Sequence, residues 1–124
     1  MPIVTEVAKR ALQFLLSESN FHRTRDNIVV ASGAGKLAAG TVLGKVAATG
    51  KYVPSPATGA GGSQVGSAIL GYPVDATSAD AAVMAVTRDC EVKAGELVYE
   101  ATVNDATKKA TKNAELQAVG IIVR

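Results

Sequence analysis

Hydrophobic positions fall in short runs along this chain, and glycine and proline cut one run from the next. Ile28-Val29-Val30 form one run, Thr41-Val42-Leu43 a second and Lys51-Tyr52-Val53 a third, with Ser32-Gly33-Ala34-Gly35 and Thr49-Gly50 between them. Runs of this length bounded by turn residues are the signature of β-strands. Glycine at the breaks supplies the positive φ that tight turns need. The pattern predicts a compact antiparallel β-module from Arg25 to Pro54. Pro54 and Pro56 with Gly59, Gly61 and Gly62 then predict a surface loop. Val65 to Val74 reads as a strand interrupted at Gly66, Gly71 and Pro73, and Asp75 to Asp80 as a polar connection. Ala81 to Thr87 reads as another strand, Asp89 to Val92 as a short extended piece, Ala94-Gly95-Glu96 as a turn, and Leu97-Val98-Tyr99 as a resumed strand.

Helical spacing occurs near each end. From Asn104 to Ala118 the chain predicts a helix, with Asn104 as N-cap and Asp105 placed to favour the dipole. Ala106, Ala110, Ala114 and Ala118 recur every four residues and predict a flat face packed on a sheet. Gly120 ends the helix, and Ile121-Ile122-Val123 predicts a last strand. Near the N-terminus, Val4, Val7, Ala8, Ala11, Leu12, Leu15 and Leu16 are close to helical spacing, with Thr5 as a cap. The same stretch, ending Phe14-Leu15-Leu16 before Ser17-Glu18-Ser19-Asn20, also reads as an extended arm whose apolar residues await a partner. Both readings of residues 5–16 stand at this point. The expected fold class is mainly β: a β-rich domain over 25–124 with one C-terminal helix at about 104–118, preceded by a flexible N-terminal arm over 1–24.

Composition narrows the class. At 124 residues the chain makes one domain plus an arm. Apolar residues are 48%, yet aromatics are only 4% and tryptophan is missing. Alanine dominates the apolar fraction, and at ~25 cal/mol per Å² small side chains bury little stabilising area. Further burial from a partner or from self-association is therefore expected. The net charge of +2 is too small for a polybasic nucleic-acid binder. The clusters His22-Arg23-Thr24-Arg25 and Lys108-Lys109 with Lys112 read as solvated faces. One cysteine, Cys90, excludes an internal disulfide framework. No apolar run approaches the ~20 residues of a membrane span, and no secretory leader is recognisable, so a soluble intracellular protein is expected.

Reactive groups are few. A Cys90–His22 nucleophilic pair is formally available, but Asp89 and Glu91 flank the thiol and would raise its pKa. Asp75 with Asp80, and Asp89 with Glu91, offer carboxylate pairs that read as solvated acids. Alternation puts Asp89 and Glu91 on one strand face and Cys90 on the other. Ser32-Gly33-Ala34-Gly35-Lys36 lacks the Gly and Ser/Thr positions of a phosphate loop, because Leu37 follows Lys36 and Val30 stands where the first Gly belongs. No catalytic, cofactor-binding or metal-binding residue is expected, and no enzyme. The alternative is a small non-catalytic β binding or carrier module, in which Lys45 of Gly44-Lys45-Val46 would have to sit at an exposed turn tip.

Taken in order, RDNIVVASG at Arg25–Gly33, LAAGTVLGKV at Leu37–Val46, and Gly50-Lys51-Tyr52-Val53 resemble the head decoration protein D family of tailed bacteriophages. Phe14-Leu15-Leu16-Ser17-Glu18, Ile69-Leu70-Gly71 with Val74-Asp75-Ala76-Thr77, and LQAVGIIVR at Leu116–Arg124 agree. The resemblance implies a β-rich, β-tulip-like fold and a structural protein carried on the outside of the phage head after synthesis in the bacterial cytoplasm. It implies homotrimers at three-fold and quasi-three-fold positions of the expanded shell, bracing it against packaged DNA. The major capsid protein is the implied partner, with no direct nucleic-acid or membrane contact and no cofactor. The implied capsid-binding arm carries Phe14, Leu15, Leu16, Ser17 and Glu18.

Overall fold

The computed structural model describes residues 12–18 and 24–124. Among the described residues, ten strands and a long C-terminal helix follow the glycine-punctuated pattern. In chain order they are β1 Leu15–Glu18, β2 Arg25–Val30, β3 Gly35–Leu37, β4 Val42–Lys45, β5 Tyr52–Pro54, β6 Gly66–Leu70, β7 Val74–Ala76, β8 Ala81–Val86, β9 Cys90–Val92, α1 Ala106–Ala118 and β10 Ile121–Val123. Strands β2, β5, β4, β6 and β8 close into a barrel. Closure leaves no unpaired sheet edge in this part of the molecule. The small sheet β1-β9-β10 and helix α1 pack on the outside of the barrel, and β3 pairs with β7 as a separate ribbon.

Two apolar clusters result. Ile28, Val30, Leu43, Ala68, Leu70, Ala76 and Ala85 are buried together in one. Phe14, Val42, Ile69, Val86, Cys90, Val92, Leu97, Leu116 and Ile121 form the other. Neighbouring residues of a strand point to opposite faces, so Val42/Leu43, Ile69/Leu70 and Val86/Ala85 each send one side chain to each cluster. Strands β4, β6 and β8 are therefore buried on both faces. That is why they read as continuous apolar runs rather than as alternation. It also explains the alanine content: the inside of a five-stranded barrel is narrow, and Ala68 and Ala85 fit there.

Several expectations change. The module from Arg25 to Pro54 is not purely antiparallel. β2 pairs antiparallel with β8, from Arg25↔Val86 to Val30↔Ala81, and parallel with β5 at Val30↔Tyr52. Closing the barrel needs both edges of β2 paired, and its sequence neighbours β1 and β3, which pair with β9 and β7, supply neither. Asp75 and Ala76 of the expected polar connection lie in β7, with Ala76 fully buried. Leu97–Tyr99 forms no strand; Val98 makes one parallel bridge to Thr41. The helix N-cap is Asp105, not Asn104: the Asp105 carboxylate accepts from Lys108 N at 2.8 Å. The alanine face of α1 points to solvent, because Lys112 and Leu116 face inward instead. Position 112 is about 200° around the helix from Ala110, so burying one stripe exposes the other. At the N-terminus, Leu12–Phe14 turn and Leu15 begins β1; residues 5–11 of the proposed helix lie outside the described residues.

Glycine is demanded where strands approach a loop too closely for a side chain. A Cβ on Gly44 would lie 1.9 Å from the Ser63 carbonyl oxygen, whereas one on Gly61 would meet nothing within 4 Å. Gly44→Ala is expected to lower stability by about 2–3 kcal/mol through overpacking. Gly61→Ala is expected to stay within about 0.5 kcal/mol of the parent. Thermal or urea unfolding of the two variants checks the contrast.

Candidate interaction surface

Among the described residues, the reactive side chains do not converge. Cys90 is buried in β9. Burial, followed by the nearby carboxylates of Glu18 and Asp89, pushes its thiol up to about 11. His22 lies outside the described residues. The Asp75 carboxylate accepts from Thr77 Oγ1 at 2.6 Å and Thr77 N at 3.0 Å. Asp80 accepts from Ser32 N at 2.8 Å and pairs with Lys51 at 2.6 Å. These two acids are each satisfied locally, as two separate turn fixtures and not a dyad. The Ser32–Lys36 turn has a carboxylate, Asp80, on its first backbone N–H. Glu91 accepts from Ser17 Oγ at 2.9 Å and from Arg124 Nε. Asp89 precedes β9 with φ 54°, outside the regular alternation expected for it. Lys45 ends β4 opposite Tyr52, within a strand and not at a turn tip. Among the described residues, no group of three or more His, Cys, Asp or Glu side chains is placed to hold a metal.

Lys112 is the residue whose role the sequence hid. It is 2% exposed, although the Lys108-Lys109-Lys112 cluster read as a solvated face. Its Nζ donates to Ser55 Oγ at 2.9 Å and to the Gln64 carbonyl, and lies 3.2 Å from Glu115 Oε1. An ammonium has three N–H donors, and three acceptors are in place. Glu115 Oε1 also accepts from Gly66 N at 2.9 Å, while Ser55 Oγ donates to the Ser63 carbonyl at 2.8 Å. Ser55, expected in a surface loop, is itself buried. A serine beside a lysine can be a nucleophile and its base. Here the hydroxyl is already committed as a donor and both groups are enclosed, so the pair joins α1 to both ends of the 55–66 loop. The one sequence signal was position: Lys112 lies four residues before Leu116, on the buried stripe.

What the surface offers is area. Leu16, Val29, Val65, Tyr72, Val119 and Ile122 are large apolar side chains left exposed. On the outer face of the β1-β9-β10 sheet, Ser17, Glu91 and Ile122 stand in one row, since Ser17 and Ile122 both pair with Glu91. A shallow groove of about 450 Å³ runs along this face. The five residues expected to bind a capsid are divided in their surroundings. Phe14 is 1% exposed and belongs to the chain's own core. Leu15 packs against that core. Ser17 bonds Glu91, and Glu18 bonds Thr24 and Arg25. Leu16, 45% exposed, is the apolar one turned outward.

A family model described as bacteriophage lambda head decoration protein D matches residues 4–121 of the chain. No curated protein matches it.

Two outcomes follow from the site. Cys90 should react with a thiol reagent at pH 8 only after denaturation, because burial opposes both access and thiolate formation; rapid labelling of the folded chain would contradict its enclosure. Lys112→Ala should cost about 3–5 kcal/mol, the range for stripping a buried charge network of one partner. Lys112→Met, which refills the space, should recover part of that loss in urea unfolding.

Proposed function

The chain belongs to the bacteriophage lambda head decoration protein D family, and on that premise we propose that it binds the expanded icosahedral head as trimers and braces it against packaged DNA. Capsid decoration is the family's role, and the virion head is where it is exercised. The trimers would sit at three-fold and quasi-three-fold positions, with the major capsid protein as partner. The observation that carries this reading is the match over nearly the whole chain, residues 4–121.

The geometry supports it. A lattice clamp needs complementary area rather than reactive groups, and the acids, the thiol and the buried lysine here are each occupied in holding the fold. Trimers let weak contacts sum, because one bound copy keeps its neighbours close to their sites. Exposed Leu16 and the residues that precede Leu12 would reach the capsid, adding a strand to a sheet edge there with backbone hydrogen bonds. Phe14 and Leu15 hold the other end of this segment in the body.

This division sets the test. Purified protein is mixed with expanded, undecorated capsids and imaged at local three-fold axes. Full-length protein is expected to give density there. A chain lacking residues 1–11 keeps Phe14 and β1, and is expected to fold but to lose most of its binding. Undiminished binding by that truncation would refute the arm, and failure of the full chain to bind any phage head would refute the decoration reading.

A further inference from the structure

We propose that residues 13–18 form a strap clasped by carboxylates, which acid opens while the barrel stays folded. The backbone holds this strap along one edge only, where Lys93 N also donates to the Phe14 carbonyl at 2.8 Å. β1 is an edge strand of four residues, paired only with β9, and its register is irregular between Leu15 and Ser17. Three carboxylates add side-chain ties along its length. Gln13 Nε2 donates to Glu96 at 2.9 Å and Ser17 Oγ to Glu91 at 2.9 Å. Glu18 closes the end: its carboxylate accepts from Thr24 Oγ1 at 2.7 Å, from Arg25 Nε at 3.1 Å and from Arg25 Nη2. Glu18, the last residue of the strap, is thus tied by its side chain to the first described residues beyond it, Thr24 and Arg25.

The groups around these acids define what a proton changes. Glu18 faces Thr24, Arg25 on β2 and its register partner Cys90 on β9; Asp89, just before β9, is also near Cys90, and Tyr72 is near Arg25. Glu91 faces Ser17 on β1 and Arg124 after β10. The Arg25 hydrogen bond holds the Glu18 carboxyl below the usual carboxylate range, and the Ser17 and Arg124 bonds do the same for Glu91. A depressed folded-state pKa stabilises above the unfolded value and is lost as pH falls through the folded one. The Glu18 and Glu91 ties are therefore whole at neutral pH and fail below the ordinary glutamate value of 4.5. The barrel has no edge to fray from, and its ladder runs all the way round. Phe14 in the core opposes opening, so the open strap is a minor local state. It exposes Phe14-Leu15-Leu16 together with the edge of β9, both suited to pairing with another strand.

Hydrogen–deuterium exchange of the full chain tests this. At pH 7, Glu18→Gln weakens the charge-assisted bonds from Arg25 and is expected to speed exchange of the β1 amides about tenfold, equivalent to ~1.4 kcal/mol, with β4 and β6 unchanged. Wild-type protein taken from pH 7 to pH 3, corrected for intrinsic exchange, should show the same selective rise with its midpoint below 4.5. Unchanged β1 protection in Glu18→Gln overturns the clasp. Loss of β1, β4 and β6 protection together in acid overturns the claim that the strap opens by itself.

Discussion

Strands β4, β6 and β8 must satisfy two apolar clusters at once, and the rest of the molecule is arranged around that requirement. Leu43, Leu70 and Ala85 fill the inside of the barrel, while Val42, Ile69 and Val86 one residue away form the floor of the second cluster. That floor has to be roofed. β9, β10, α1 and Phe14 provide the roof, and none of them has another large apolar surface to rest on. The N-terminal strap and the C-terminal strand are thereby drawn to the same side of the barrel, on either side of β9. A chain with few aromatics obtains a core in this way by using both sides of the same strands, at about 25 cal/mol per Å² for each.

The same arrangement accounts for the lack of converging chemistry among the described residues. The ionisable groups serve as fasteners: Lys112 joins α1 to the 55–66 loop, Asp80 joins the Ser32 turn to Lys51, and Glu18 joins β1 to β2. Each has its partners within the fold. What remains outward is the alanine face of α1, scattered apolar side chains and the outer face of the small sheet. Such a body suits a protein whose work is to occupy a position on a lattice and hold it, which is the work of its family.

Much of this was legible in the residues. Glycine and proline punctuation located β2, β4, β5, β6, β8, β9 and β10, because turn chemistry is local. The family was legible too, through the order of Arg25–Gly33, Leu37–Val46 and Leu116–Arg124. Pairing was not legible, because β2 finds β8 and β5 only through closure of the barrel, a property of the whole chain. The inward face of α1 was misread for a related reason. Alanine every four residues resembles a packing stripe, yet a single Leu116 buries more area than the small alanines, and Lys112 follows it inward because Ser55, Gln64 and Glu115 are waiting. Phe14 reads as an arm residue in the sequence, since nothing local shows that the second cluster lacks an aromatic until its walls are assembled. Gly40 records that fit: with φ +93°, its Cα faces Phe14 and the Glu96 carbonyl, where a Cβ would sit 2.6 Å from that oxygen.

We propose that a passive, doubly packed body stabilises a phage head by gripping its outside. The most direct measurement is the temperature at which DNA-filled heads lacking decoration release their DNA, with and without saturating amounts of the purified chain. A clamp raises that temperature, and the rise levels off once the three-fold positions are filled. Heads that carry bound protein yet release DNA at the same temperature as bare heads would contradict the claim.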